Sequence, residues 1–93
     1  MITPRNMIGP RLRQIRRERS LTQVTFALMC QRKGWDISRE TLAKIESQRR
    51  WVADFELLFL ADVLELAIGE LLQSSKSPDL AQKLVSKLER RLP

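Results

Sequence analysis

The chain has 93 residues, room for one compact domain with a modest core, and it carries a formal charge of +6 with a pI near 10.5. It has no His and a single Cys, which leaves no zinc centre and no internal disulfide to expect. Its longest apolar runs, such as 57–61, are far too short to cross a bilayer. The charge is uneven: residues 1–50 carry 12 Lys/Arg against 4 Asp/Glu, a net +8, and residues 51–93 carry 5 against 7, a net −2. A basic half joined to a mildly acidic half suggests one face for a polyanion and another for packing or a protein partner.

Three Gly, no Tyr and an abundance of Leu, Arg, Glu, Lys and Gln predict an all-α fold. Residues 1–7, with Pro4 and Arg5, read as a flexible arm and contain no apolar run of signal-peptide length. Helix 1 is expected to begin near Ile8–Pro10, because Pro is tolerated in a first turn. Leu12 and Ile15 form its apolar stripe, and Ser20 ends it. Thr22 is the N-cap expected for helix 2, with Leu21 as a staple and Phe26, Ala27 and Cys30 on one face. The helix should stop near Lys33, before Gly34 at C′.

Ser38 is the N-cap expected for helix 3, with Thr41 where a capping box has Glu or Gln. Leu42 and Ile45 point inward, and Gln48, Arg49 and Arg50 make a basic exit loop. Asp54 is expected to cap helix 4, whose buried stripe is Leu57, Leu60, Ala61 and Leu64. A short helix 5 covers about 68–73. A polar linker, 74–77, leads to Ser77-Pro78-Asp79, a strong helix start, and to an amphipathic helix 6 with Leu80, Leu84, Val85, Leu88 and Leu92 along one side. The domain reading is 1–7 arm, 8–73 folded domain, and 74–93 linker plus a helix for docking or dimerisation.

The stretches L-R-Q-I-R (12–16), L-T-Q-V-T-F-A (21–27), D-I-S-R-E-T-L-A-K-I-E (36–46), L-L-F-L-A-D-V-L (57–64) and G-E-L-L (69–72) follow one another in order. This ordered set resembles the Cro/repressor helix-turn-helix family, the XRE-like or lambda-repressor-like regulators. The resemblance covers about two thirds of the chain. It implies a five-helix domain that lays helix 3 in the major groove of double-stranded DNA. On the residues themselves, Arg39, Glu40 and Lys44 lie on the free face of helix 3 and are the candidates for reading bases. Arg39 suits guanine, Glu40 a cytosine amino group, and Lys44 a base or a phosphate. Thr22, Gln23, Ser38, Arg49 and Arg50 are the candidates for phosphate contacts, Gln23 by its match to the family's backbone-contacting Gln at the start of helix 2. The resemblance also implies a partly buried structural ion pair between Arg16 and Glu46.

The chain departs from the family's pattern in places. About four extra residues separate Ala27 from Ser38, roughly one helical turn, so helix 2 or its turn is expected to be extended. Arg32 and Lys33 in that insertion are candidates for added phosphate contacts. Gln48 stands where the family has Gly, and Ala67 replaces the usual helix-5 cap. Trp35 and Trp51 are expected to pack in the core at the two ends of helix 3. Cys30 is expected to be a small inert hydrophobe.

The function expected is a sequence-specific transcriptional regulator, most simply a repressor, working in the cytoplasm of a bacterium or from a phage or mobile element. A homodimer through helices 5 and 6 suits a near-palindromic operator, whose half-sites lie about 34 Å apart. The alternative is an antitoxin or adaptor whose main partner is a small protein, since fold alone does not separate these functions. No cofactor, no metal and no membrane are expected. No nucleophile sits beside a base and no Gly-rich phosphate loop is present, so no enzyme is expected either.

Overall fold

The computed structural model describes residues 3–73, and five helices with no strand run through them. They are α1 (Gly9–Glu18), α2 (Gln23–Arg32), α3 (Arg39–Glu46), α4 (Asp54–Val63) and α5 (Ile68–Leu72). The expected sixth helix and its linker, 74–93, lie outside the described residues.

The starts of α2 and α3 share one device. The Thr22 hydroxyl accepts from the Thr25 N–H at 3.0 Å, and the Ser38 hydroxyl from the Thr41 N–H at 3.1 Å. Each capping hydroxyl also donates to the hydroxyl three residues on, at 2.9 and 3.0 Å. Thr at N3 is too short to reach back to the cap's own N–H, so it closes the turn through the cap hydroxyl instead. Helix α4 begins one residue earlier than Asp54 as cap would give. Ala53 is the N-cap, and the Asp54 carboxylate accepts from the next N–H, of Phe55, at 2.7 Å. Ala53 offers no oxygen, so only the return half of a capping box forms: the Ala53 N–H donates to Glu56 at 3.0 Å.

Helices α1 to α4 all end the same way. In each, the N–H of C″ donates to the carbonyl of C3 and the N–H of C′ to that of C2, the Schellman arrangement. The C′ residues are Ser20, Gly34, Gln48 and Glu65, all at positive φ. Three of these four are not glycine, and each bears the strain of the left-handed conformation. Leu21, Trp35 and Leu66 occupy C″ after α1, α2 and α4 and pack against the core, as that position favours. After α3 the C″ residue is Arg49, which is exposed.

The core joins Leu12 and Ile15 of α1, Phe26, Ala27 and Cys30 of α2, Leu42 and Ile45 of α3, Leu60, Ala61, Val63 and Leu64 of α4, and Leu71 of α5. Burying each large side chain contributes roughly 1.5–3 kcal/mol before entropy is counted. Leu57, expected in the buried stripe of α4, is only half-buried, and Val63 is buried there too. Helix α1 packs on α3 and α5, α2 on α3 and α4, and α4 on α5. Gly9 lets α1 approach α3: a Cβ there would lie 2.4 Å from the Ile45 carbonyl oxygen and 2.7 Å from that of Glu46. The positive end of α1 thus meets the carbonyl end of α3, a favourable dipole arrangement.

The two tryptophans differ from each other. Trp35 meets Phe59 of α4 edge-to-face, ring centroids 5.5 Å apart, and is half-buried against the core. Trp51 is 70% exposed, so core packing does not describe it. It sits just before the N-cap of α4, where no helix among the described residues covers it.

Candidate nucleic-acid interface

Helix α3 is held from behind and bare in front. Leu42 and Ile45 are fully buried and Glu46 nearly so, while Arg39, Glu40, Lys44 and Ser47 are exposed and Ala43 is half-buried. At about 100° per residue, Arg39, Ala43, Ser47, Glu40 and Lys44 span an arc of roughly 140°. The sequence reading named three of these five. Ala43 also faces away from the core, as its spacing from Leu42 and Ile45 predicts, and Ser47 joins the same face through the helical spacing 39-43-47.

The back of α3 is anchored by an ion pair. Arg16 Nε and Nη2 donate to the two carboxylate oxygens of Glu46 at 2.7 and 2.9 Å, and Nη1 donates to the Leu21 carbonyl at 2.7 Å. The side chains are 9% and 3% exposed. The hydrogen bond to Glu46 pushes the Arg16 guanidinium above its usual range. Gln23 Nε2 donates to the same Glu46 carboxylate at 3.2 Å. One network therefore ties α1, α2 and α3 together, and Gln23 retains an amide hydrogen and its carbonyl for other partners.

Gln23 opens onto a shallow cleft. Thr22, Gln23 and Val24 at the start of α2, Arg13, Arg16 and Arg17 of α1, and Arg39 of α3 line it. Of these arginines only Arg16 has a carboxylate partner among the described residues. Arg13, Arg17 and Arg39 converge on the positive end of α2 with no carboxylate partner among the described residues, an arrangement suited to an anion such as a phosphate. Arg13 and Arg17 were not singled out from the sequence. They are one helical turn apart, on the outer face of α1, and look like solvated charges until α2 is docked. The hydroxyls of Thr22 and Ser38 are both occupied in capping.

At the other end of α3 the loop is tied to the N-terminal segment. Residues 5 and 6, read from sequence as part of a loose arm, are hydrogen-bonded to it. The Arg5 N–H donates to the Gln48 carbonyl at 3.0 Å, and Arg5 Nη1 to the Arg49 carbonyl at 3.3 Å. Asn6 Nδ2 donates to the carbonyls of Ile45 and Arg50 at 3.1 and 2.9 Å, and Asn6 Oδ1 accepts from the Gly9 N–H at 2.8 Å. Gln48 Nε2 returns a bond to the Asn6 carbonyl at 2.9 Å, which helps explain why a non-glycine holds this left-handed position.

Arg49 and Arg50, paired in the sequence reading, part company. Arg49 is exposed. Arg50 turns to Glu56 with two bonds of 2.9 and 3.0 Å and also donates to the Trp51 carbonyl at 3.0 Å. Hydrogen bonding to Arg50 is the main cause that holds the Glu56 carboxyl below its ordinary value, and the Arg50 guanidinium is raised by the same bond. Arg50 therefore closes the start of α4 rather than standing free for a phosphate.

The insertion is shared between an α2 of ten residues and a long turn, 33–38. Ile37 is buried, Gln31 Nε2 donates to its carbonyl at 2.8 Å, and Trp35 docks on Phe59. Lys33 leans toward Asp62 of α4, 3.8 Å away. The turn is thus braced on α4, and of the two cations of the insertion Arg32, at the end of α2, has no carboxylate partner among the described residues. Burial pushes the Cys30 thiol up to about 11, which keeps it protonated and unreactive at neutral pH.

Among the described residues no helix is long and apolar enough to cross a membrane. No curated protein and no solved structure matches the chain. A family model described as helix-turn-helix matches residues 12–71, well over half of the sequence and the whole span from Leu12 of α1 to Leu71 of α5. With five helices in this order and a docked α3 whose polar face is free, the chain belongs to the Cro/C1-type, XRE-like helix-turn-helix family of DNA-binding transcriptional regulators.

Proposed function

We propose that the chain is a repressor that reads a specific operator by laying α3 in the major groove. The observation that carries this reading is the division of α3. Leu42, Ile45 and the Arg16–Glu46 pair lock its back, and Arg39, Glu40, Ala43, Lys44 and Ser47 form a free polar front. Glu40 and Lys44 suit base edges, and Ala43 is small enough to let the helix approach closely and meet a thymine methyl. Gln23, Arg13 and Arg17 suit a phosphate at the start of α2, and Arg49 another after α3. Arg39 borders both the free face and the cleft. A base-reading role and a phosphate role for it predict different mutants.

Selection from a random-sequence duplex library at two salt concentrations tests the reading. Enrichment of one motif is expected, as an inverted repeat with half-sites about 10 base pairs apart if a homodimer binds. Weak binding that enriches nothing and vanishes with salt would overturn it. On the selected duplex, Arg39→Ala should relax preference at one base position, while Arg13→Ala should weaken all sequences alike.

A protein partner is supported by a separate observation. Trp51, just before α4, and Phe55 and Leu58 in its first half are 70%, 70% and 58% exposed, an apolar surface of the kind that protein contacts cover. A second copy is the partner this reading takes. Co-purification with a different small protein in place of self-association would favour the antitoxin or adaptor reading.

A further inference from the structure

We infer that Arg5 is a second DNA-backbone contact beside Arg49, positioned by Asn6, so that the N-terminal segment is built into the DNA-binding loop. This rests on the DNA-binding reading above. Asn6 is half-buried and spends both amide hydrogens on the carbonyls of Ile45 and Arg50, which bracket the left-handed turn at Gln48. Its carbonyl side accepts from the first N–H of α1. Every polar atom of this amide therefore faces inward, and a surface Asn with no task rarely has that arrangement. Its effect is to fix the exit loop of α3 against the start of α1 and to hold the neighbouring Arg5 along that loop.

Arg5 spends its backbone N–H on Gln48 and one guanidinium hydrogen on the Arg49 carbonyl. A guanidinium has five N–H donors, so most of its fork is left for an outside acceptor. The carboxylates that flank this loop in the chain, Glu46 at the end of α3 and Glu56 in the first turn of α4, are committed to Arg16 and Arg50. Arg5 and Arg49 are thus two exposed cations on one loop with no counter-charge among the described residues. Arg49 also stands at the one C″ position of the four that gives up its usual apolar contact.

The placement matches a duplex. Helix α3 has eight residues, about 12 Å of axis, and the major groove is about 12 Å wide. The Arg13–Arg17–Arg39 cleft lies at its N-terminal end and the Arg5–Arg49 loop at its C-terminal end. A helix seated in the groove would carry cations toward phosphates on both sides.

The experiment is the salt dependence of binding to a mixed-sequence B-form duplex, with thermal unfolding measured on the same samples. Arg5→Gln is expected to lower the slope of log K against log salt by about 0.9 and leave Tm unchanged. Over a fourfold rise in salt, that variant loses affinity about 3.5-fold less than wild type. Arg5→Lys, which keeps the charge, should restore the slope. Asn6→Ala should lower the slope at least as much as Arg5→Gln, and adding Arg5→Gln to it should change the slope by much less than 0.9. A wild-type slope in Arg5→Gln would overturn the inference while leaving the DNA-binding reading intact. Absence of salt-dependent binding by the wild-type chain would overturn both.

Discussion

Arg16 and Glu46 face each other across the α1–α3 contact with two parallel bonds, 2.7 and 2.9 Å long, and almost no exposure to water. A pair of this kind holds orientation more than it adds stability, because desolvation offsets much of the attraction. Breaking it is another matter. Arg16→Ala strands a buried carboxylate and should cost about 3–5 kcal/mol, read as a lowered Tm. Affinity for the selected duplex should fall with it, because α3 and Gln23 lose their common anchor. Affinity lost at unchanged Tm would assign Arg16 to DNA contact instead. The double change Arg16→Met with Glu46→Leu should recover most of the stability and little of the specificity.

Gly9 makes a second prediction, on packing. Its missing Cβ leaves room for the carbonyls of Ile45 and Glu46. Those atoms are backbone and cannot swing aside. Gly9→Ala should therefore separate α1 from the end of α3 and destabilise by about 1–3 kcal/mol, although Ala is intrinsically the better helix former. A rise in Tm would show that helix propensity outweighs this close approach.

Acid sensitivity should come partly from Glu56. Hydrogen bonding to Arg50, then the Ala53 N–H, holds its carboxyl below the ordinary 4.5, against the opposing effect of burial. A depressed folded value means the stabilisation is fully present above pH 4.5 and is lost as pH falls through the lower folded value. Glu56→Gln should cost about 1–2 kcal/mol at pH 7 and make stability less dependent on pH below 4.5. Equal acid sensitivity in wild type and variant, measured by denaturant unfolding across that window, would rule the pair out as a contributor.

The helix ends offer gains. Ser20 and Glu65 hold the C′ position at φ 56 and 55, and among the described residues no side-chain bond from either one secures it. Ser20→Gly and Glu65→Gly should each raise stability by about 0.5–1 kcal/mol. Gln48→Gly should gain less or lose, because Gln48 also bonds Asn6. Equal gains at all three sites would show that the Gln48–Asn6 bond contributes nothing.

Much of this protein was legible as local pattern. The hydroxyl caps at Thr22 and Ser38, the stop at Gly34, and the inward spacing of Leu42 and Ile45 are decided within a few residues of each other, so the sequence states them directly. Leu12 to Leu71 carry enough such signals in order to identify the family and the all-α fold. The Arg16–Glu46 geometry, by contrast, was suggested by resemblance and not by spacing, because 30 residues separate the partners.

What the sequence left undecided depends on which helix covers which surface. Arg49 and Arg50 are adjacent and chemically identical, yet Glu56 reaches one and leaves the other exposed. Trp35 and Trp51 flank the same helix, yet among the described residues only Trp35 finds a ring across the fold. Arg13, Arg17 and Arg39 become one cleft only when α1, α2 and α3 converge, and Arg5 and Asn6 become part of the α3 exit loop only when the chain's two ends of that contact meet. Local propensity fixes helices and their ends through short-range hydrogen bonding. Burial, ion pairing and electrostatic clustering act between residues distant in the chain, and those are settled only by packing.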